Sequence, residues 1–254
     1  MPARRRATPH AEGAPGLAGR ALIASIRAGL RAAADPERAP GMRAYMKSAM
    51  PYHGVPMPEQ RRITRAAIAE HPLGSSEEWR ATMRELWRSA THREERYAAL
   101  ELAGHRRYRA FEDLDALPIY EEWIETGAWW DLGDWIAADR IGSLLRRHPR
   151  TIAPLMRRWA RDANMWKRRT AILSQLRFRG ETDLALLYDC IEPNVGDREF
   201  FIRKAIGWAL REVAWADPDE VVRYVHENVE RLSGLSKREA LNNVLRSGRI
   251  AAVP

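Results

Sequence analysis

Three stretches of the chain carry one short pattern: Arg96-Tyr97-Ala98-Ala99-Leu100, Arg169-Thr170-Ala171-Ile172-Leu173 and Arg203-Lys204-Ala205-Ile206-Gly207. They are separated by 73 and 34 residues, and 73 is close to two units of about 36 or 37, near the period of two-helix repeats. Repeats of this size cannot bury an apolar face alone, so they stack, each unit covering its neighbours. Such a period constrains the chain more than any other feature of its sequence.

From Leu17 onward apolar residues recur at helical spacing, as in Leu22, Ile23, Ile26 and Leu30, and no segment sustains the alternation of a strand. Breakers at Pro36, Pro40, the 51–58 loop with Gly54, Pro72, Gly74, Pro149, Gly180, Pro193, Gly196 and Pro218 leave helices of about 12 to 18 residues. Several starts are legible as caps: Ser75 and Ser76 before Glu77 and Glu78, Asp217 before Pro218, and Ser236 three residues before Glu239. The expected fold is all-α, a HEAT-like helical-repeat solenoid (an α-α superhelix) with a concave basic groove. It occupies residues 17–254 as one domain, after a disordered basic arm at residues 1–16 containing Arg4, Arg5 and Arg6.

Formal net charge is +8, so the surface attracts polyanions. Of 42 basic residues only four are Lys, and the Arg fork suits two-point contacts with phosphate oxygens. Charged residues interrupt every apolar run, which argues against a transmembrane helix, and residues 1–16 lack the apolar stretch of a secretory signal. A single cysteine, Cys190, leaves no disulfide framework; we read it as a core thiol in a reducing, cytoplasmic compartment. There is no HExxH, GxxxxGK[ST], GxGxxG or CxxC motif, and the seven histidines show no ligand spacing. The chain is therefore expected to need no metal and no cofactor.

The repeat predicts a fourth copy near residue 132, and that copy is the exception. Trp129-Trp130-Asp131-Leu132-Gly133-Asp134-Trp135 puts acid and aromatics where its sister helices carry Arg. Trp130 and Asp134 are four apart and share a helix face, so the carboxylate lies beside an indole, suited to stabilising a cationic sugar or orienting water. Asp131 is the rival candidate. Lys204, Trp208 and Arg211 form a second face, a ring between two cations, and Arg169 with Trp166 makes a similar pair. From the residues alone this is a basic helical solenoid with an acidic and aromatic site; no reaction follows from it.

Four stretches add a resemblance: Tyr45-Met46-Lys47 before the 51–58 loop; Trp129 to Asp134; Phe200-Phe201-Ile202-Arg203-Lys204-Ala205-Ile206-Gly207-Trp208-Ala209-Leu210-Arg211-Glu212; and Leu235-Ser236-Lys237-Arg238-Glu239-Ala240. In order and spacing, from about residue 40 to the C-terminus, the chain resembles the AlkD-type DNA alkylation repair glycosylases. The resemblance implies a monomer holding duplex DNA in its groove and hydrolysing the N-glycosidic bond of purines alkylated at N3 or N7, without base flipping or a lyase step. It implies that Asp134 is the catalytic carboxylate and that Trp130 and Trp208 contact the deoxyribose of the damaged nucleotide. Arg169 then contacts DNA near the lesion, Arg211 and Lys204 (with Arg203 and Lys47 beside them in the motifs) meet backbone phosphates, and Tyr45 touches DNA opposite the lesion. Two alternatives keep the same motifs: a non-catalytic HEAT-like DNA-binding protein, and a self-resistance glycosylase for bulky natural-product adducts. A third, a protein-interaction scaffold, has no use for the net charge.

Overall fold

The structure is a computed structural model and describes residues 13–254, all helix, turn and loop with no strand among them. The expected basic arm falls largely on residues 1–12, outside the described residues; α1 begins at Leu17, where the helical pattern starts. Packing divides the chain into two compact units, Met1–Glu112 and Asp113–Pro254.

The first unit contains α1 (Leu17–Ala32), α2 (Ala39–Met46), α3 (Met57–Glu70), α4 (Ser76–Arg88) and α5 (Arg93–Gly104), then a 3₁₀ turn, Arg106–Tyr108. Leu22, Ile26 and Leu30 form the inaccessible stripe of α1, which packs on α3, α4 and α5. The Ser75 hydroxyl caps α4 by accepting the Glu78 N–H at 3.2 Å, and Trp79, Met83, Leu86 and Trp87 give that helix its buried face. The loop between α2 and α3 is fixed from beneath by buried Glu94, whose carboxylate accepts the backbone N–H groups of His53, Gly54 and Val55 at 3.1, 2.9 and 3.2 Å. Gly54 is required in that loop: its φ is +88°, and a Cβ there would lie 2.1 Å from the Asp35 carbonyl oxygen.

The second unit contains α6 (Leu117–Gly127), α7 (Trp130–Trp135), a π-helical segment (Ile136–Ile141), α8 (Gly142–Arg147), α9 (Pro149–Trp159), α10 (Met165–Leu173), α11 (Leu184–Ile191), α12 (Phe200–Ala214), α13 (Pro218–Glu227) and α14 (Gly234–Arg246). Helices α7, α10, α12 and α14 pack in series, each on the next. Asp217 caps α13 through the Glu220 N–H at 3.0 Å, as expected. The cap of α14 differs: Ser233, not Ser236, accepts the helix N–H, at 3.0 Å. Ser236 lies one turn in, fully buried, and donates to the Arg203 carbonyl at 2.9 Å. The helix starts earlier because that hydroxyl serves a tertiary contact. Cys190 is buried, which pushes its thiol up to about 12.

The helical repeat is present in the element boundaries. Helices α3, α5, α7, α10, α12 and α14 begin at residues 57, 93, 130, 165, 200 and 234, in steps of 36, 37, 35, 35 and 34. This places Arg169 in register with Lys204 rather than with Arg203 as the pattern of alanines had it, and both occupy the position of Asp134 in α7. Several helices are shorter than expected, down to 6 residues in α7 and α8; neighbours in a repeat supply the stability that an isolated short helix lacks.

Gly207 lets α12 and α14 approach closely: a Cβ there would meet the Glu239 Cβ at 2.4 Å and the Ser236 carbonyl oxygen at 2.7 Å. Gly207→Ala is therefore expected to lower unfolding free energy by roughly 1–3 kcal/mol despite the better helix propensity of alanine. Urea denaturation measures it, and an unchanged midpoint would refute the close approach.

Candidate active site

Gly127 ends α6, and Ala128, with φ of 35°, turns the chain back. A non-glycine residue in that left-handed conformation is uncommon and costs of order 1–3 kcal/mol. Trp129 then runs extended into the start of α7, and its ring packs with Phe201 at 5.4 Å and Trp166 at 6.1 Å between centroids. Trp166 and Phe201 lie 5.2 Å apart, so these three rings close one side of the helix start. Trp166 thus serves packing, and the ring near the Arg169 guanidinium is Phe201, at 5.8 Å.

One turn into α7, Asp134 meets Arg169 of α10 in a two-point ion pair, Nε to Oδ1 at 2.7 Å and Nη2 to Oδ2 at 2.8 Å. The Arg169 Nη1 donates to the Phe201 carbonyl of α12, so three successive repeat helices meet at one guanidinium. Side-chain exposure is 4% for Arg169 and 13% for Asp134. Sequence reasoning puts Arg169 on DNA; here its donors are directed first at Asp134. Burial raises the Asp134 carboxyl above the usual aspartate value; the Arg169 pair opposes this and the nearby Asp131 charge adds to it. The helix after Asp134 relaxes into the π-helical segment, a feature frequent at functional sites that no residue pattern signalled.

On α12, Lys204, Trp208 and Arg211 share a face, as their spacing predicts. Glu239 of α14 takes both cations on its two oxygens: Lys204 on Oε1, and Arg211 on Oε2 at 2.7 Å. Burial works against ionisation of Glu239, but these two partners outweigh it and hold its carboxyl below the ordinary value. The Trp208 indole N–H donates to Glu212 at 3.0 Å, which orients the ring. Glu239 and Glu212 are candidate site residues that sequence reasoning did not assign, although both lie within the stretches that carry the resemblance. The Arg203 Nε is buried without a hydrogen-bond partner.

Tyr45 and Lys47 belong to the first unit. Tyr45 is 77% exposed at the end of α2, and Lys47, in the left-handed region at φ of 47°, is exposed. In the same unit the fold brings His53, His92 and Glu95 together, with ligand atoms within 4.8 Å of one another. The two imidazoles stack at 3.7 Å with planes only 11° apart, so their in-plane lone pairs run parallel instead of converging on a cation. Glu95 is engaged by Arg27 at 2.7 Å and by the Thr91 hydroxyl at 2.8 Å. No helix among the described residues is long and apolar enough to cross a membrane.

Residues 26–244 match the family model described as DNA alkylation repair enzyme. A solved structure described as a predicted DNA alkylation repair enzyme from Enterococcus faecalis is similar over 82% of this chain and 95% of that one, with 31% identity and a TM-score of 0.72. No curated protein matches.

Proposed function

The chain belongs to the DNA alkylation repair enzyme family, and from that premise we propose that it is a monofunctional DNA glycosylase removing N3- or N7-alkylated purines from duplex DNA. The observation that carries this reading is the Asp134 carboxylate, nearly buried and held by the Arg169 fork, four residues from Trp130.

Alkylation at N3 or N7 makes the purine cationic and hence a good leaving group. In the proposed step the bond from C1′ to the base nitrogen breaks, and its electron pair leaves with the purine. Positive charge develops on the sugar, a water oxygen adds to C1′, and the water's proton goes to solvent. The chain has to stabilise that developing cation. A carboxylate fixed in a poorly solvated place does so without reorganising at the moment of reaction. The indole faces of Trp130 and Trp208 suit the same charge through their π electrons. Arg169 acts through Asp134, favouring its ionised form and orienting it. The residues draw on no cofactor for this hydrolysis, and a leaving group of this quality need not be swung into a pocket, which favours action on a stacked base.

The test is release of 7-methylguanine and 3-methyladenine from alkylated duplex DNA. Release by the purified protein is expected; its absence, with duplex binding intact, would leave a bulky-adduct specialist or a non-catalytic binder. A second measurement concerns the phosphate-binding face. Because Glu239 occupies Lys204 and Arg211, Glu239→Gln is expected to tighten binding to undamaged duplex and to steepen the log–log salt dependence by about one to two units. A flat or weakened response would remove Lys204 and Arg211 from the DNA contacts.

A further inference from the structure

The first unit carries a cluster of cations that the proposed site does not use. Arg106, Arg107 and Arg109 stand within four residues just beyond α5, all exposed, and their guanidinium groups have no hydrogen-bond or ion-pair partner among the described residues. Several other arginines of the unit are matched to carboxylates: Arg27 to Glu95 at 2.7 Å, Arg62 to Glu59 at 2.5 Å and Arg65 to Glu101 at 2.7 Å. Glu101, in the last turn of α5, is already shared by Arg61 and Arg65.

The turn presenting them is rigid. Between the cations Tyr108 is fully buried; its hydroxyl accepts the Leu73 N–H at 3.1 Å, and its ring stacks on Phe111 at 5.7 Å. The backbone closes on itself through Tyr108 N–H to the His105 carbonyl at 2.9 Å and Phe111 N–H to the Tyr108 carbonyl at 2.9 Å. Arg106 and Arg109, three apart in such a turn, project to the same side. One cation beside the C-terminus of α5 would suffice for its dipole; three together repel one another, and no ion pair among the described residues ties any of them to a carboxylate. An anchored turn also spends little ordering entropy when its side chains engage a ligand.

We infer that Arg106, Arg107 and Arg109 form a phosphate-binding surface of the first unit, whose partner is the sugar-phosphate backbone of duplex DNA. The inference rests on the reading that this chain handles duplex DNA, and it extends the contacts beyond Tyr45 and Lys47. Contacts of this kind add affinity without sequence information, which suits a repair protein that must meet damage in any sequence.

The experiment measures binding of an undamaged DNA duplex across a salt series by the parent, by the variant carrying Arg106→Gln, Arg107→Gln and Arg109→Gln, and by Arg62→Gln as a carboxylate-paired control. All three substituted positions are exposed, and circular dichroism checks that the variant is folded. The triple variant is expected to lose about two to three units of slope in log affinity against log salt, at about 0.9 per phosphate contact, and the control none. An unchanged slope overturns the proposal, as does loss of binding to anionic lipid vesicles with DNA binding intact. Because undamaged duplex is the probe, failure of base release would remove the glycosylase reading and leave this result standing.

Discussion

Asp134→Asn is expected to abolish release of alkylated purines from duplex DNA, by roughly 10²-fold or more, while binding of the same duplex persists. Asparagine keeps the shape and one acceptor oxygen for Arg169 but loses the charge that the developing sugar cation would meet. Thermal unfolding of the variant guards against trivial loss of structure. Equal release by parent and variant would end the catalytic role of Asp134 and shift attention to Asp131. The parent should also show an acid limb in its pH profile. Only the ionised carboxylate works, and burial raises the Asp134 carboxyl above the ordinary aspartate range. Activity should therefore fall with decreasing pH sooner than it would for a solvent-exposed aspartate. The same shift has a stability consequence with a definite sign. A carboxyl with a raised folded-state pKa binds more protons when folded than when unfolded in the window between the two values. Stability contributed by this residue accordingly declines as pH rises through that window.

Arg169→Ala should have the second largest effect, through folding as well as activity. It would leave Asp134 buried with no counter-charge and the Phe201 carbonyl without its donor. Breaking a buried pair from one side costs about 3–5 kcal/mol, far more than the net worth of the intact pair. The Asp134 carboxyl, relieved of the influence that lowers it, would titrate at still higher pH, so the acid limb of base release should move upward. Arg169→Lys retains charge without the fork and should recover part of the stability but little of the orientation. Urea denaturation and the pH profile, measured together, separate the two roles. A stable Arg169→Ala protein with an unmoved acid limb, but weaker and less salt-dependent DNA binding, would return Arg169 to the direct DNA contact expected from sequence.

The sequence by itself determined the helical class, the repeat period and the place of the exceptional copy. These depend on apolar spacing and on breakers such as Pro149 and Pro218, which act locally along the chain. It also made Trp130, Asp134, Lys204, Trp208 and Arg211 candidates, because side chains three, four or seven apart on a helix share a face whatever surrounds them. What those side chains do to one another was decided only by tertiary structure. Arg169 and Asp134 are 35 residues apart, and nothing in either segment states that α10 packs on α7 so that the fork faces the carboxylate. The same holds for Glu239, which faces Lys204 and Arg211 because Gly207 lets α14 approach α12. It holds for Ser236, drawn from a capping role into a contact with the Arg203 carbonyl. Periodicity fixes which residues share one helix face; the packing of one helix on the next fixes which charges meet, how far they are desolvated, and so which of them retain the chemistry that a site requires.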